Sequence, residues 1–199
     1  MSCLMERLSP FSRDRGLSSS CALLVVDMQR FFIDPESHAF LPDSLCVLNN
    51  VRLLLEAFRR RGLPVIFTRH AHGPGQLGAM GRWWRDPLMD GSEMSEIALD
   101  LIVGEHVVVK ERYDAFHGTH LHELLLELDV HEVVVAGVMT DLCVETTARS
   151  AFVRDLDVTV AADACCTQDP ELHYASLLTL AHGFAVIKRT RDIIGEVSK

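Results

Sequence analysis

No stretch of this sequence approaches the roughly 18 consecutive apolar residues that a membrane-spanning helix needs. The longest apolar runs, Cys21 to Val26 and Val133 to Met139, are strand-sized. Basic residues are in the minority, 19 Lys and Arg against 28 Asp and Glu, for a formal net charge of -9. That balance provides no general attraction for phosphate backbones or anionic headgroups, so neither nucleic acid nor a membrane is expected as a partner. The six cysteines, at positions 3, 21, 46, 143, 165 and 166, lack CxxC spacing, and three of them lie in apolar segments where a reduced thiol packs as a small hydrophobe. A reducing, cytoplasmic setting is the expectation. Residues 1–19 have no apolar core ahead of a small-residue cleavage site, and they read as a loose lead-in rather than a secretory signal. No repeat, low-complexity tract or linker divides the remainder. A chain of 199 residues, 48% hydrophobic, suits one domain, over residues 20–199.

Within that domain the hydrophobic pattern alternates between two periods. Cys21 to Val26 is apolar throughout, as in a strand buried on both faces. From Ser44 to Arg61 the apolar residues Leu48, Val51, Leu55 and Phe58 recur at helical spacing, with Asn49, Arg52, Glu56 and Arg59 on the other face. Further strands are predicted at Pro64 to Thr68, His106 to Lys110, Glu132 to Gly137, Val158 to Ala161 and Phe184 to Ile187. Helices are predicted after Thr119, from about Asp141 to Arg154, and from Asp169-Pro170 to Gly183. Strands alternating with helices specify a three-layer α/β/α domain around a mainly parallel six-stranded sheet.

Arg69 to Glu105 breaks this rhythm, because connections in such units usually run about 2–6 residues. It holds His70, His72, both tryptophans of the chain (Trp83 and Trp84) and a possible short helix near Ser92 to Leu101. Two readings of the tryptophans stand: a wall or lid over a site, or a pin that fastens the loop to the body or to another subunit.

Ligands of an open parallel sheet bind beyond the carboxyl ends of its strands. Asp27, Lys110 and Cys143 fall there, after the first, third and fourth predicted strands. Cys143 would occupy the first turn of the next helix, where amide dipoles and a nearby ammonium favour a thiolate and a carboxylate can take the thiol proton. Taken singly, the three read equally well as a helix cap, a surface charge and a packing thiol.

Three blocks join these residues. Val25-Val-Asp27-Met-Gln-Arg-Phe31, Lys110-Glu-Arg-Tyr-Asp-Ala-Phe116 and Ala136-Gly-Val-Met-Thr-Asp-Leu-Cys143-Val-Glu-Thr-Thr-Ala148 resemble, in order, the signature blocks of the isochorismatase-like cysteine hydrolases. The resemblance covers about residues 20–190. It implies a catalytic triad of Asp27, Lys110 and Cys143, with Asp27 moving the protons, Lys110 lowering the pKa of the nucleophile, and Cys143 attacking an amide carbonyl to form a thioester. It also implies a cis peptide between Val138 and Met139, and an oxyanion hole built from the backbone N–H groups of Met139 and Cys143. Isochorismatases proper lack the cysteine, so its presence points to C–N hydrolysis of a small amide or ureide. Family members are mostly dimers or tetramers, which makes a homo-oligomer the expectation.

Nicotinamidases of this superfamily hold a metal at an Asp-x-His after the second strand, with another histidine downstream. Here the matching place reads Thr68-Arg-His70-Ala-His72, and no further histidine follows before His106. The expectation is no metal and no cofactor, with a metal-assisted nicotinamidase as the alternative and a non-catalytic thiol sensor as the reading from another class. Phe32, Trp83, Trp84 and Phe116 are candidate pocket walls, and Arg82, Arg85 and Arg112 are candidate holders of a substrate carboxylate. Cys165 and Cys166 read as packing thiols, and His117, His120 and His122 as a solvated face.

Overall fold

The structure, a computed structural model, describes residues 6–11, 13, 15–75, 77–84, 86–98 and 101–198. Of the residues singled out above, Cys3 and Arg85 lie outside them. Six strands form one sheet in the order β3-β2-β1-β4-β5-β6: β1 (Cys21–Val26), β2 (Val65–His70), β3 (His106–Lys110), β4 (Glu132–Val138), β5 (Asp157–Cys166) and β6 (Val186–Lys188). Every pairing is parallel. The helices are α1 (Arg30–Ile33), α2 (Ser44–Arg60), α3 (Gly78–Trp83), α4 (Leu121–Glu127), α5 (Glu145–Phe152), α6 (Pro170–Gly183) and α7 (Thr190–Val197). No helix of the described residues is long and apolar enough to cross a membrane.

The strand period of two divides the sheet's side chains between two cores. Leu24, Val26, Val133 and Val135 meet α4, α5 and α6 on one face. Leu23, Val25, Val134 and Ala136 meet α2 and α7 on the other. The stripe predicted on α2 is the buried one, with Val51 and Phe58 fully enclosed. Asp169 caps α6 by accepting the Glu171 N–H at 2.7 Å, with Pro170 at the first helical position. Leu8, within the stretch read as a loose lead-in, is buried in the first core.

The structure corrects the reading at several elements. β5 continues past Ala161 through Cys166, so Cys165 and Cys166 belong to the strand rather than to the segment after it. Its register with β4 slips between Val135 and Gly137, and the bulge lets Asp163 accept from the Thr190 N–H at 2.7 Å, at the start of α7. The single helix predicted from Asp141 to Arg154 is a π-helical turn at Thr140–Val144 followed by α5. In the long connection the helix lies at Gly78–Trp83, whereas the Ser92–Leu101 region holds only a 3-10 turn, Glu93–Ser95, among its described residues.

The strand order reverses direction between β1 and β4. In an open parallel sheet the crevice outside the carboxyl ends at such a switch point is where ligands bind.

Candidate active site

Asp27 follows β1, Lys110 ends β3, and Cys143 lies in the π turn after β4. The register aligns Val26 with Thr68 on one side and with Gly137 on the other, and pairs His70 with Lys110. The structure thereby brings the three predicted residues together. Lys110 Nζ lies 2.7 Å from Asp27 Oδ2, donates to Cys143 Sγ at 3.1 Å and donates to the Arg112 carbonyl at 3.0 Å. The ammonium thus makes one ion pair and two hydrogen bonds. The Thr68 hydroxyl donates to Asp27 Oδ1 at 2.6 Å. Asp27 adopts φ 50°, a left-handed conformation that aspartate tolerates better than most residues.

Close approach of β4 to β1 makes this geometry possible. Gly137 has φ 120°, and a Cβ there would stand 2.0 Å from the Val26 carbonyl oxygen. Only glycine fits. The next peptide bond, between Val138 and Met139, is cis.

Both charged partners are fully buried. Burial would raise the Asp27 pKa, but the Lys110 charge beside it and the hydrogen bonds from Lys110 and Thr68 hold it below the usual carboxylate range. Burial likewise works against the Lys110 ammonium, and Asp27 and Cys143 hold its pKa above the usual lysine value. Cys143 goes the other way. Burial pushes its thiol well above the ordinary range, and the proximity of Asp27 adds to this, against the pull of Lys110.

A cavity of about 530 Å³ opens onto Cys143. Phe32, Trp83, Trp84 and Met139 line it, as do His70, His72 and Tyr113. The Trp84 indole N–H donates to the Tyr113 hydroxyl at 2.7 Å, tying the long connection to the segment after β3. Phe116 is a correction: it is buried in the core beneath the Arg154 guanidinium and is not part of the cavity wall. Val138 is likewise fully buried in the opposite core. Arg82 and Arg112 are also absent from the wall, and Arg112 instead donates to the Glu111 carbonyl at 2.7 Å. Among the described lining residues none is Lys or Arg, and Asp86 is the sole Asp or Glu.

A family model for the Isochorismatase domain matches residues 21–192. The chain belongs to the isochorismatase family. It is 42% identical over 188 residues to Nicotinamidase 3 of Arabidopsis thaliana, covering 89% of this chain and 91% of that protein. Among solved structures it resembles a cysteine hydrolase from Pseudomonas syringae pv. phaseolicola, with a TM-score of 0.85, 27% identity, and coverage of 90% of this chain and 92% of that one. It also resembles the N-carbamoylsarcosine amidase of Thermoplasma acidophilum, with a TM-score of 0.75, 30% identity, and coverage of 86% and 96%.

Within this isochorismatase-family hydrolase the donor set does not fit a resident metal. Among the described residues the one trio of His, Cys, Asp or Glu whose donor atoms lie within 4.8 Å of one another is Asp27, His70 and Cys143, which leaves out His72. Two of that trio already share the Lys110 ammonium, so a dication would sit against a buried positive charge.

Sequence reasoning missed several residues of the site. Thr68, the last residue of the predicted second strand, had a usable signal, since parallel pairing places it beside Asp27. Gln29 and Tyr113 lie inside the quoted blocks. The buried Gln29 side chain accepts from the His70 N–H at 2.8 Å, donates to the His70 carbonyl at 2.9 Å and to the Ser95 carbonyl at 2.6 Å. It thereby fixes His70, which pairing with β3 makes the end of β2, two residues beyond the predicted end.

Proposed function

We propose that this hydrolase cleaves the C–N bond of a small amide or ureide through a thioester on Cys143. The observation that carries this reading is the buried Asp27–Lys110–Cys143 constellation opening onto one aromatic cavity. The thiol proton leaves for the Asp27 carboxylate as Sγ forms its bond to the carbonyl carbon. The Lys110 ammonium then faces the developing thiolate charge and keeps Asp27 oriented. The oxyanion is received by the backbone N–H groups of Met139 and Cys143. Collapse breaks the C–N bond, and the proton on Asp27 passes to the leaving nitrogen, which departs as ammonia or an amine. Water, deprotonated by the same carboxylate, attacks the thioester, and the carboxylic acid leaves as Sγ regains its proton.

The likeness to a nicotinamidase and to an N-carbamoylsarcosine amidase supports primary amides and ureides as the first substrates to assay. The test is ammonia release from nicotinamide and N-carbamoylsarcosine by the native protein and by Cys143→Ala, with mass spectrometry of the quenched native enzyme. Expected are turnover by the native chain, none by the variant, and an acyl adduct on the peptide containing Cys143. Turnover that survives Cys143→Ala would overturn the mechanism.

A further inference from the structure

The π turn that carries Cys143 is held from outside the reaction cavity by a single helix. Such turns are rare, and they concentrate at functional sites. Thr140 opens this one and is fully buried, with Met139 just before it and Cys143 three residues after. Those two neighbours are the residues whose N–H groups receive the oxyanion in the reaction above. The Thr140 carbonyl accepts the Glu145 N–H that closes the π turn, and it also accepts the Ser176 hydroxyl at 3.0 Å. Its own hydroxyl lies 2.8 Å from His173 Nδ1, and the two share a hydrogen bond. His173 and Ser176 stand three residues apart on α6, hence on one face of it. Burial lowers the His173 pKa against the pull of Asp43 and Asp141, so at neutral pH the ring bonds Thr140 without bringing a charge to the turn. Neither side chain lines the cavity over Cys143, and His173 lines a different cavity together with Thr167 and Tyr174.

We propose that His173 and Ser176 are positioning residues that act through Thr140 to hold the Met139 and Cys143 N–H groups on the oxyanion. The proposal rests on the amidohydrolase reading for the reaction it serves. An oxyanion donor contributes about 10²–10³ in rate because it is fixed before the charge develops. Two bonds to different atoms of Thr140, its hydroxyl and its carbonyl, fix both the place and the rotation of that residue, which one bond would not. The setting is passed to both ends of the turn. One peptide bond joins Thr140 to Met139, whose carbonyl accepts the Leu142 and Val144 N–H groups at 3.1 Å each, on either side of Cys143. A purely structural role for the same bonds would satisfy a buried hydroxyl and leave the chemistry untouched.

Two measurements on the full-length protein test this, well below the melting temperature of each variant. One is steady-state hydrolysis of nicotinamide. The other is calorimetric affinity for pyridine-3-carbaldehyde, whose C=O bond adds the Cys143 thiol to give a hemithioacetal with its oxygen at the oxyanion position. Thr140→Val and His173→Phe should each lower kcat, and weaken the aldehyde, by about tenfold, with KM for nicotinamide kept within about threefold. Ser176→Ala should do the same by about threefold. Thr140→Val combined with His173→Phe should fall no further than the worse single variant, since both break one bond. His173→Asn, which keeps a polar atom near the place of Nδ1, should recover most of the loss. A structural role would lower Tm in these variants and leave kcat and the aldehyde constant alone. Values within about twofold of native in both Thr140→Val and His173→Phe, or losses that multiply in the double variant, would overturn the proposal. If the native chain binds the aldehyde without hydrolysing nicotinamide, the hydrolytic reading weakens and the aldehyde constants alone decide the positioning role by the same margins. A native chain that does neither overturns both.

Discussion

Replacing Lys110 with methionine tests the electrostatic core of the site without changing its shape much. The native ammonium is fully buried against Asp27 at 2.7 Å and also bonds Cys143 and the Arg112 carbonyl. Methionine fills most of the volume but leaves a carboxylate uncompensated where no water reaches it. Breaking a buried pair on one side costs about 3–5 kcal/mol. For a chain of this size each kcal/mol moves Tm by about 2–4 °C, so the expected fall is about 6–20 °C. The pH dependence adds a signature. In the native protein Asp27 has a lowered pKa, so its contribution is present above about pH 4 and is lost as pH falls through the folded value. Lys110 has a raised pKa, so its contribution is complete below about pH 10 and is lost only on going higher. Both are constant between pH 5 and 8. In the variant, burial without the cation raises the Asp27 pKa, so the carboxyl takes up a proton as pH falls and the penalty shrinks. Thermal unfolding followed by circular dichroism at pH 8 and pH 5 should show a deficit that narrows at pH 5. Lys110→Met combined with Asp27→Asn should recover most of the loss. A deficit of under about 2 °C, or one equal at both pH values, would refute the reasoning.

Three shorter predictions follow from neighbouring features. Because Asp27 is held below the ordinary carboxylate range and His70 titrates at about 4, kcat/KM should stay flat from pH 8 to pH 5, and an acid limb centred near 6.5 would assign the base to a histidine instead. Gly137→Ala would force a Cβ against the Val26 carbonyl at 2.0 Å, so overpacking and backbone strain should cost about 2–6 kcal/mol in denaturant unfolding and lower kcat/KM at least about tenfold. Asp169→Ala removes the cap from α6, and Tm in thermal unfolding should fall by about 2–4 °C.

The parts of this fold that were legible in the sequence are those governed by periodicity and by chain ends. β1 and β3 lie at their predicted boundaries, and the stripe on α2 is the buried one. Positions at strand ends were legible for the same reason, so Asp27, Lys110 and Cys143 could be picked out before their separations were known. What escaped depends on partners distant in the chain. Arg69 and His70 look like loop residues because they are polar, yet pairing with β3 carries β2 through both, and the Gln29 side chain fixes His70. The prediction ends β5 at Ala161, before Asp163 interrupts the apolar run, but a bulge directs that carboxylate to the start of α7. The π turn runs directly into α5, so the sequence reads as one helix. Phe32 and Phe116 follow Asp27 and Lys110 at similar distances along the chain, and only the packing separates a pocket wall from a core residue.

The placement of Lys110 also bears on how this protein would lose function. Three of the four strands from β3 to β4 deliver a member of the proposed triad, and the lysine comes from β3, the strand at the margin of the sheet. Margins open before centres do, since one neighbour rather than two holds them, and Val109 beside the lysine is 44% exposed. A brief peeling of β3 withdraws the ammonium, strands the Asp27 charge and silences Cys143, while the two cores and most of the helices remain intact. Heat should therefore inactivate the molecule below the temperature at which it melts, with the loss reversible on cooling, and the endurance of the activity would be set by a five-residue strand rather than by the bulk of the fold.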